Sequence, residues 1–497
     1  MDGSTLREQL SEAVAAIGVL RSENEALRER VALLERENRR LAAKLEALSV
    51  EGQKNSGNSS KPPSRDPAAV REAQAKARRE RRAATAGGKA RKPGKQPGAA
   101  GKTLEMTDTP DEMVIHAPSL CGGCGGDLSD AEVTGVERRQ VIDVPEPTPV
   151  TTEHRVERRR CGCGTETAGT FPAHVRAPVQ YGPRIRAIVV YLLARQHIPV
   201  ARVAEAARDL FGVKLSTGVV DAIYAEAGRR LNGFITALVA LLRSLPVIHA
   251  DETTDRIGTL NCWMHVVSSP RYTLIHASAT RSWEAVKEAG VLIGYRGVVI
   301  HDRLALYWKL KTAKHGICGA HLLRDLASVA TISSQRAWAS GLAELLVEIN
   351  RACDDARARD LKTLSPALKR SLSSRYDELV DTALRLNPEP RQRTRTPLER
   401  QSYNLAVAFQ THKRSILAYL HHLDLPMTNN QAERDLRPVK LHRKVSSCFK
   451  SQAGATRFAR VRSYLSTTRK NDVPAIDALI RLFNGDPWMP PAPETAA

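Results

Sequence analysis

The segment that decides the fold is Leu245-Pro246-Val247-Ile248-His249-Ala250-Asp251-Glu252-Thr253, in which a short apolar run ends at two carboxylates. A second run, Gly297-Val298-Val299-Ile300-His301-Asp302, ends in the same way. Both runs are typical of buried β-strands, because they are short and rich in β-branched residues. A third acid, Glu433, follows far downstream in a segment of helical character. We interpret Asp251, Asp302 and Glu433 as one carboxylate triad in a ribonuclease-H-like core.

The triad predicts a site for two divalent cations that act on a phosphodiester. Two metal ions about 4 Å apart can activate an attacking oxygen and stabilise the leaving oxygen of an in-line displacement. Mg²⁺ prefers oxygen ligands and keeps several of its waters, so a few carboxylates are enough to hold it. We therefore expect Mg²⁺ or Mn²⁺ as the cofactor, and cleavage or joining of phosphodiesters as the chemistry.

The segments around the two aspartates predict how the sheet is built. Three strands follow one another with turns short enough for antiparallel hairpins. They are residues 247–253, 261–267 and 272–277. A helix over residues 282–289 then leads to a strand over 297–301, and a crossover of this kind favours parallel pairing. Asp302 is thus expected beside Asp251, with one further strand at residues 316–320.

A long helical region separates these strands from Glu433. Residues 322–422 have helical periodicity, and we interpret them as an α-helical insertion into a core whose first part is 246–321. The last part of the core, residues 423–486, carries Glu433, and residues 487–497 are predicted to be a disordered tail. The predicted fold class is therefore multidomain α/β.

Each acid also has a plainer interpretation. Glu433 and Arg437 are four residues apart on a helix and could form a solvated salt bridge, while Asp251 could simply end a strand. Glu252 is the nearest rival as a metal ligand. Two other acids are less suitable as ligands. Asp255 falls toward a turn, and Asp435 lies on a different helix face from Glu433. The metal site is favoured because all three acids lie in segments that suit it, two at the ends of strands and one on a helix.

The first 50 residues carry the clearest repeat in the chain. One seam position recurs every seven residues, at Leu6, Ala13, Leu20, Leu27, Leu34, Leu41 and Leu48. The other seam position is filled by Leu10, Ile17, Asn24, Val31, Asn38 and Leu45. Leucine at the first seam, with β-branched residues and asparagine at the second, favours a parallel two-stranded coiled coil, because each Asn finds its partner only in register.

We therefore predict a leucine zipper over residues 1–50 that joins two protomers. The side chains expected to hold the dimer are Leu20, Asn24, Leu27, Val31, Leu34, Asn38 and Leu41. A single amphipathic helix docked on its own chain is the alternative.

Positive charge is concentrated in two places. The formal net charge of the chain is +21, and between Lys54 and Lys102 there are 14 Lys or Arg against 3 Asp or Glu. We predict that residues 51–103 are a basic disordered linker, which either is merely solvated or contacts DNA phosphates without regard to sequence. A second basic run follows Glu433, and its predicted DNA-binding residues are Arg434, Arg437, Lys440, Arg443, Lys444 and Lys450.

Four of the eight cysteines are grouped in pairs flanked by glycine. The pairs are Cys121-Gly122-Gly123-Cys124 and Cys161-Gly162-Cys163. Four thiolates make a closed tetrahedral Zn²⁺ site, so we predict a zinc ribbon, β-rich and structural, over residues 104–172. Reduced thiols without a ligand are the alternative. The other cysteines are predicted to be buried free thiols of a reducing compartment: Cys262, Cys318, Cys353 and Cys448.

One of these isolated cysteines, Cys318, is followed three residues later by His321, which is a metal-like spacing. A core cysteine beside a histidine at the edge of the active site is the simpler interpretation. Upstream of the core, residues 173–245 are predicted to be helical, either as a DNA-binding helix-turn-helix or as a plain bundle.

The sequence contains no apolar run long enough to predict a membrane span. Its N-terminal segment has the charge pattern of a zipper and not of a signal peptide. We therefore expect a cytoplasmic protein.

The chain resembles the insertion-sequence-66 family of bacterial transposases over nearly its whole length. Besides the acidic segments and the paired cysteines, the matching stretches are Asn58-Ser59-Ser60-Lys61-Pro62-Pro63-Ser64, Cys318-Gly319-Ala320-His321 and Asn429 to Pro438. One departure is Lys95-Gln96-Pro97-Gly98-Ala99-Ala100, where family members usually carry a Gly-Gly-Gln-Pro-Gly-His type of run.

The resemblance implies that Asp251, Asp302 and Glu433 form a DDE active site and that the protein acts on the bacterial nucleoid. Such an enzyme cleaves the terminal inverted repeats of its element and joins the 3′-hydroxyls to target DNA, in some cases with accessory proteins of the same element. Two other functions stay open at this point. One is a catalytically inactive regulator that binds DNA through zipper and ribbon, and the other is a nuclease that hydrolyses DNA without joining it.

Overall fold

The computed structural model describes residues 16–38, 41, 45, 55, 66–85, 104–172, 174–389 and 397–492. These residues fall into two compact units. The smaller unit contains the described residues of 67–152 and 208–213, and the larger contains those of 1–66, 153–207 and 214–497.

The predicted zipper is described in part, as a helix over residues 16–38. Its apolar seam is uncovered on the single chain: Leu20 and Leu27 are each 61 % exposed, and Leu34 is 52 % exposed. The seam residues Leu6, Leu10, Ala13 and Leu48 lie outside the described residues, as does the family-like stretch of residues 58–64. The helix is confirmed, and its pairing with a second chain stays a prediction.

The prediction of a disordered linker is wrong for part of residues 51–103. A helix, α1 (Ala68–Thr85), begins directly after Pro67. The reason lies in local composition, because this stretch is rich in Ala and Arg and has no Gly or Pro to interrupt it. Helix propensity therefore outweighs the low apolar content that suggested disorder.

The cysteine-rich segment has less regular structure than the predicted β-rich ribbon. Its strands are the short antiparallel pair β1 (Arg158–Arg160) and β2 (Glu166–Ala168), with one isolated bridge between Leu120 and Asp127. Apolar side chains such as Val141 remain open to solvent at 92 % exposure. With so few apolar groups covered, nothing pairs the rest of the segment into strands, and the β-rich prediction is wrong for most of it.

Four helices precede the sheet, as predicted for residues 173–245. They are α2 (Pro183–Val190), α3 (Val200–Phe211), α4 (Thr217–Arg230) and α5 (Asn232–Ser244), with a π-helical turn Tyr191–Arg195 after α2. Gly212 ends α3 with φ +64°, a value that costs glycine little. Ser216 caps α4 by accepting a hydrogen bond from the backbone N–H of Val219 at 3.2 Å.

The sheet has five strands in the order β5-β4-β3-β6-β7. They are β3 (Val247–Ile257), β4 (Leu260–Ser268), β5 (Thr273–Ser278), β6 (Val298–His301) and β7 (Lys314–Ile317). The first three pair antiparallel, and β6 pairs parallel with both β3 and β7, which confirms the predicted pairings. A helix, α6 (Trp283–Ala289), forms the crossover, capped by Ser282.

The last strand lies earlier than predicted. It ends at Ile317, and the residues expected to continue it, up to Ala320, already belong to the next helix, α7 (Gly319–Val329). The backbone N–H of Gly319 donates to the carbonyl oxygen of Met427 at 2.8 Å. A side chain at position 319 would meet Met427, so glycine allows this close approach.

The insertion is helical, as predicted. Its helices after α7 are α8 (Arg336–Ala358), α9 (Pro366–Leu386), α10 (Pro397–Thr411), α11 (Lys413–Ile416) and α12 (Ala418–His421). They enclose a separate apolar core that includes Trp338, Leu342, Tyr376 and Phe409. Ser365 caps α9, and Pro366 occupies the first turn, where its missing N–H costs nothing.

Three helices close the larger unit: α13 (Asn430–Ser446), α14 (Gln452–Lys470) and α15 (Ala475–Asn484). Helices α13 and α14 cover one face of the sheet, where Leu436 and Phe458 pack with Met264 and Ile275. Helix α15 packs against α2, so the helices before the sheet and those after it form one layer. Glu433 is thereby carried to the sheet on the first turn of α13.

Candidate active site

The parallel pairing of β3 and β6 brings the two strand-ending aspartates together. His249 is opposite Ile300, and Asp251 and Asp302 each lie two residues further along their strand direction. Residues at equal distances from a paired position meet at the same edge of a parallel sheet. Carboxylate oxygens of Asp251, Glu252 and Asp302 accordingly lie within 4.8 Å of one another.

The environment of the Asp251 carboxyl disfavours its negatively charged form. Burial raises its pKa from 3.8 to about 7, and the negative charges of Glu252, Asp302 and Glu433 add to the increase. The backbone N–H of Glu252, which donates to Oδ1 of Asp251 at 2.9 Å, acts in the opposite direction. A cation bound between these oxygens would relieve the repulsion that the pKa records.

Asp302 is held by the turn that follows its strand. Its Oδ1 accepts a hydrogen bond from the backbone N–H of Leu304 at 2.9 Å, and Arg303 between them has φ +77°. A positive φ at a residue with a long side chain is strained and is typical of functional sites. The turn fixes one oxygen of Asp302.

Glu252 is the alternative metal ligand next to Asp251, but other side chains already bind both of its carboxylate oxygens. The hydroxyl of Tyr307 donates to its Oε2 at 2.6 Å, and the guanidinium of Arg281 binds its Oε1 with Nε at 2.8 Å. The side chain of Glu252 is only 1 % exposed. Sequence reasoning missed both partners, because Arg281 and Tyr307 lie in segments with no motif of their own.

Glu433 reaches this edge of the sheet because Asn429, at the start of α13, is bound to β3. The side-chain amide of Asn429 donates to the carbonyl oxygen of Ala250 at 2.8 Å, and its Oδ1 accepts from Nδ1 of His249 at 3.0 Å. Asn429 is fully buried. The sequence offered Asn429 only as part of a matching stretch, and it gave no indication of this role.

Glu433 groups with two other ligand-type side chains, and it is not part of the group that contains both aspartates. Its carboxylate groups with Cys318 and His321, whose ligand atoms lie within 4.8 Å of one another, and Nδ1 of His321 is 3.9 Å from Oε1 of Glu433. The salt bridge from Glu433 to Arg437 that sequence spacing suggested is absent among the described residues. Glu433 still acts on Asp251, because its charge contributes to raising the pKa of that carboxyl.

The two other acids near the triad serve elsewhere. Asp435 accepts from Nζ of Lys470 at 2.6 Å and from the hydroxyl of Thr273 at 3.1 Å, so it fastens α13 to α14 and β5. Asp255 is buried on β3, still within the paired part of the strand, and burial raises the pKa of its carboxyl. Neither belongs to the cluster around Asp251.

The six predicted DNA-binding side chains are all exposed. Arg437, Lys440 and Lys444 follow Glu433 at intervals of four, seven and eleven residues, which places them along the same side of α13. Three later arginines of the same basic run are structural instead: Arg457 binds Asp221, Arg460 binds Asn232, and Arg462 binds the carbonyl oxygen of Ala194.

Each pair of clustered cysteines lies on a tight turn. Around the first pair, the backbone N–H of Gly125 donates to the carbonyl oxygen of Cys121 at 2.9 Å. Backbone N–H groups, first that of Cys124, lower the pKa of the Cys121 thiol. Such turns aim N–H groups at sulfur, so they favour the thiolate form that binds metal.

The second pair repeats this local pattern. The backbone N–H of Gly164 donates to the carbonyl oxygen of Cys161 at 2.8 Å. Hydrogen bonding to Thr165 is the main cause that lowers the pKa of Cys163 to about 7. Each pair taken by itself thus has a local backbone geometry that suits metal-binding thiolates.

The isolated cysteines agree with their prediction except at one position. Cys262, Cys318 and Cys353 are buried, whereas Cys448 is exposed. Cys448 lies in the turn after α13, where the chain leaves the helix before the buried Phe449.

Comparison with known proteins identifies the family to which the chain belongs. Residues 178–457 match the model described as Transposase IS66 family, and residues 118–164 match that of the zinc-finger binding domain of transposase IS66. The chain therefore belongs to the IS66 transposase family. The second match spans all four clustered cysteines, which supports zinc binding by this segment.

A curated relative adds similarity over a longer stretch. An uncharacterized protein, y4hP, of Sinorhizobium fredii (strain NBRC 101917 / NGR234) is 24 % identical over 411 residues, which cover 73 % of this chain and 70 % of the relative. In the described part of the chain, no helix is long and apolar enough to cross a membrane.

Proposed function

We propose that the protein is a DNA transposase that cleaves the ends of its element and joins the new 3′-hydroxyls to target DNA, with Asp251, Asp302 and Glu433 as its metal-binding acids. The observation that carries the proposal is the meeting of Asp251 and Asp302 at one edge of β3 and β6, with Glu433 held close by Asn429. The strand order β5-β4-β3-β6-β7 supports a ribonuclease-H-like core.

The donor set fits Mg²⁺ or Mn²⁺. The available ligand atoms of the two aspartates are oxygens, which Mg²⁺ prefers. Burial, together with the neighbouring acids, raises the pKa of Asp251, and a bound cation would favour its charged form. Bound divalent cations would supply Lewis-acid activation of the attacking oxygen and neutralise charge at the phosphodiester.

Around that centre, the protein's own residues position the acids. Arg281 and Tyr307 neutralise and orient Glu252, which leaves Asp251 and Asp302 as the acids of the cluster that no described side chain binds. The turn through Arg303 fixes Asp302, and Asn429 fixes the first turn of α13. This arrangement holds the acids before DNA arrives, so little reorganisation is needed for catalysis.

The basic side of α13 is proposed to hold the DNA backbone next to the acids. Arg437, Lys440 and Lys444 continue the side of the helix on which Glu433 lies, with Arg434, Arg443 and Lys450 nearby in sequence. These side chains are exposed, and phosphate contacts of this kind position a duplex without reading its sequence.

Two further parts of the proposal concern assembly. One structural Zn²⁺ would be held by Cys121, Cys124, Cys161 and Cys163. The turn at each pair and the lowered pKa values of Cys121 and Cys163 support this. The uncovered seam of the N-terminal helix would pair with that of a second protomer, so that two active sites can act on two element ends.

The proposal is tested by a strand-transfer assay with the element's own end DNA, a target duplex and Mg²⁺. The wild type is compared with Asp251→Asn and with Asp255→Asn, the same change four residues along the same strand but outside the acidic cluster. Joined products are expected from the wild type and Asp255→Asn, and none from Asp251→Asn.

Other outcomes point to other functions. Cleavage without joined products would indicate a hydrolytic nuclease. DNA binding with neither cleavage nor joining, even with the element's accessory proteins, would indicate a catalytically inactive regulator. Equal activity of Asp251→Asn and the wild type would contradict the assigned acids.

A further inference from the structure

A second group of metal-ligating side chains lies beside the proposed active site. Cys318, His321 and Glu433 present a sulfur, a ring nitrogen and a carboxylate oxygen within 4.8 Å of one another. Ligands on a tetrahedral Zn²⁺ are roughly 3.5 Å apart, since each lies about 2.0–2.3 Å from the ion. Small side-chain movements would therefore close these three atoms around one ion.

His321 provides an independent sign that a partner is missing. Its Nδ1 is buried, yet the described residues offer it no hydrogen bond, and the nearest charged atom is Oε1 of Glu433 at 3.9 Å. Buried polar atoms are nearly always paired, because leaving one unpaired costs roughly 1–3 kcal/mol. A bound cation would be the missing partner of this nitrogen.

The sulfur of Cys318 is buried, and burial raises the pKa of its thiol, while backbone N–H groups act in the opposite direction. Cys318 is the N-cap residue of α7, and its Sγ accepts the backbone N–H of Asn429 at 3.1 Å, just before α13 begins. The N-terminal ends of two helices thus meet at this sulfur, and their N–H groups suit the thiolate that forms when a cation binds. Hydrogen bonds from backbone N–H groups to sulfur are also what a metal-bound thiolate requires.

We propose that Cys318, His321 and Glu433 bind one transition-metal ion of the Zn²⁺ class, at a site distinct from the oxygen ligands of Asp251 and Asp302. Sulfur and imidazole ligands suit Zn²⁺ and Co²⁺, whereas Mg²⁺ requires oxygen. The thiol proton passes to solvent when the ion binds. Three protein ligands leave the fourth position of a tetrahedral ion open.

The site shares Glu433 with the proposed DDE triad, and this sharing has a consequence that rests on the proposed function. An ion held by Cys318 and His321 takes the carboxylate of Glu433 away from the Asp251 side. Zn²⁺ therefore inhibits cleavage supported by Mg²⁺. The protein would bind Mg²⁺ and Zn²⁺ in competition for one side chain.

Binding is tested with Co²⁺ on the full chain after chelator treatment. Wild type, His321→Ala and the control His422→Ala, an exposed histidine at the end of the insertion, are titrated while bound equivalents and sulfur-to-cobalt absorption are recorded. The cysteine-rich segment is expected to bind the same amount of Co²⁺ in all three proteins. Wild type and His422→Ala are expected to bind one equivalent more than His321→Ala.

Two further variants separate coordination from folding. Cys318→Ser should lose the same equivalent together with its share of the sulfur-to-cobalt absorption, whereas Cys353→Ser, a buried cysteine of the insertion, should lose neither. If Cys318→Ser does not fold, as judged by circular dichroism, the His321→Ala titration decides alone. Equal stoichiometry and equal spectra for wild type and His321→Ala would overturn the proposal.

Inhibition is measured separately, as the Zn²⁺ concentration that halves cleavage in Mg²⁺. Loss of one ligand should raise that concentration by at least about tenfold in His321→Ala, measured relative to the variant's own activity without Zn²⁺. If the wild type shows no cleavage in Mg²⁺, the proposed function fails, while the Co²⁺ titration still decides the cation site.

Discussion

Asn429 donates its side-chain amide to the carbonyl oxygen of Ala250 at 2.8 Å, and this hydrogen bond ties the helix that carries Glu433 to the residue before Asp251. The same side chain accepts from His249 at 3.0 Å, so both of its polar atoms are used. Two parts of the chain that are far apart in sequence are thereby fixed at one edge of the sheet.

Asn429→Ala is expected to remove cleavage activity and to lower the free energy of unfolding by roughly 1–3 kcal/mol, because His249 and Ala250 lose buried partners. Cleavage assays and thermal denaturation measure the two effects. Asn350→Ala, which removes a hydrogen bond to Asp354 on the insertion, serves as the control. Full activity of a folded Asn429→Ala would show that the anchor is dispensable.

Glu433→Gln should abolish cleavage while DNA affinity stays nearly unchanged, because the substitution removes a proposed metal ligand and no positive charge. Binding to end DNA by fluorescence anisotropy and cleavage in Mg²⁺ are compared in the same buffer. The assignment of Glu433 would be contradicted by a loss of binding as large as the loss of cleavage.

The raised pKa of Asp251 predicts how the stability of the metal-free protein depends on pH. Its folded-state pKa of about 7 lies above the ordinary 3.8, so the folded protein holds a proton that the unfolded chain has lost. The free energy of unfolding from this group therefore decreases as pH rises from about 4 to 7. Asp251→Asn should remove that decrease, as urea denaturation at several pH values would reveal; a slope equal to that of the wild type would argue against the shift.

Cys124→Ser is expected to release zinc and to destabilise the cysteine-rich segment, because a four-ligand site loses one thiolate. Native mass spectrometry gives the metal content, and limited proteolysis reports the stability of the segment. Cys448→Ser is the matched control, since Cys448 is an exposed cysteine outside the two pairs. Unchanged zinc in Cys124→Ser would rule out that ligand set.

Leu34→Lys should convert the proposed dimer to monomers, because it places like charges opposite each other in the seam of a parallel coiled coil. Leu33→Lys is the control, because it makes the same chemical change one residue away and off the seam. The exposure of the two residues is similar, 61 % for Leu33 and 52 % for Leu34. Sedimentation velocity of both variants gives the mass. A dimer that survives Leu34→Lys would indicate that the zipper does not join the protomers.

Local sequence determined the elements of the core. The alternation and β-branched content of β3 to β6 predicted these strands, and the short turns and the crossover helix predicted their pairing, because such signals act over a few residues. Caps at Ser216 and Ser282 marked helix starts for the same reason. Local composition also misled, since α1 occupies part of the predicted linker.

Only the tertiary structure decided which acids are free. Glu252 and Asp251 are adjacent in sequence and chemically alike, yet Arg281 and Tyr307 occupy the oxygens of Glu252. In the same way Asp435, two residues from Glu433, is bound by Lys470. The sequence contains no local signal of these partners, because they are brought in from other elements.

The sequence by itself thus determined most of the helices, the paired strands of the sheet and the chemical types available for a site. The tertiary structure decided that Asn429 anchors the helix of Glu433 and that Glu433 lies beside Cys318 and His321. The physical reason is the range of the interactions. Periodicity and capping depend on neighbours along the chain, whereas the surroundings of a carboxylate depend on residues of other elements, such as Arg281 and Tyr307 at Glu252, which are 29 and 55 positions away.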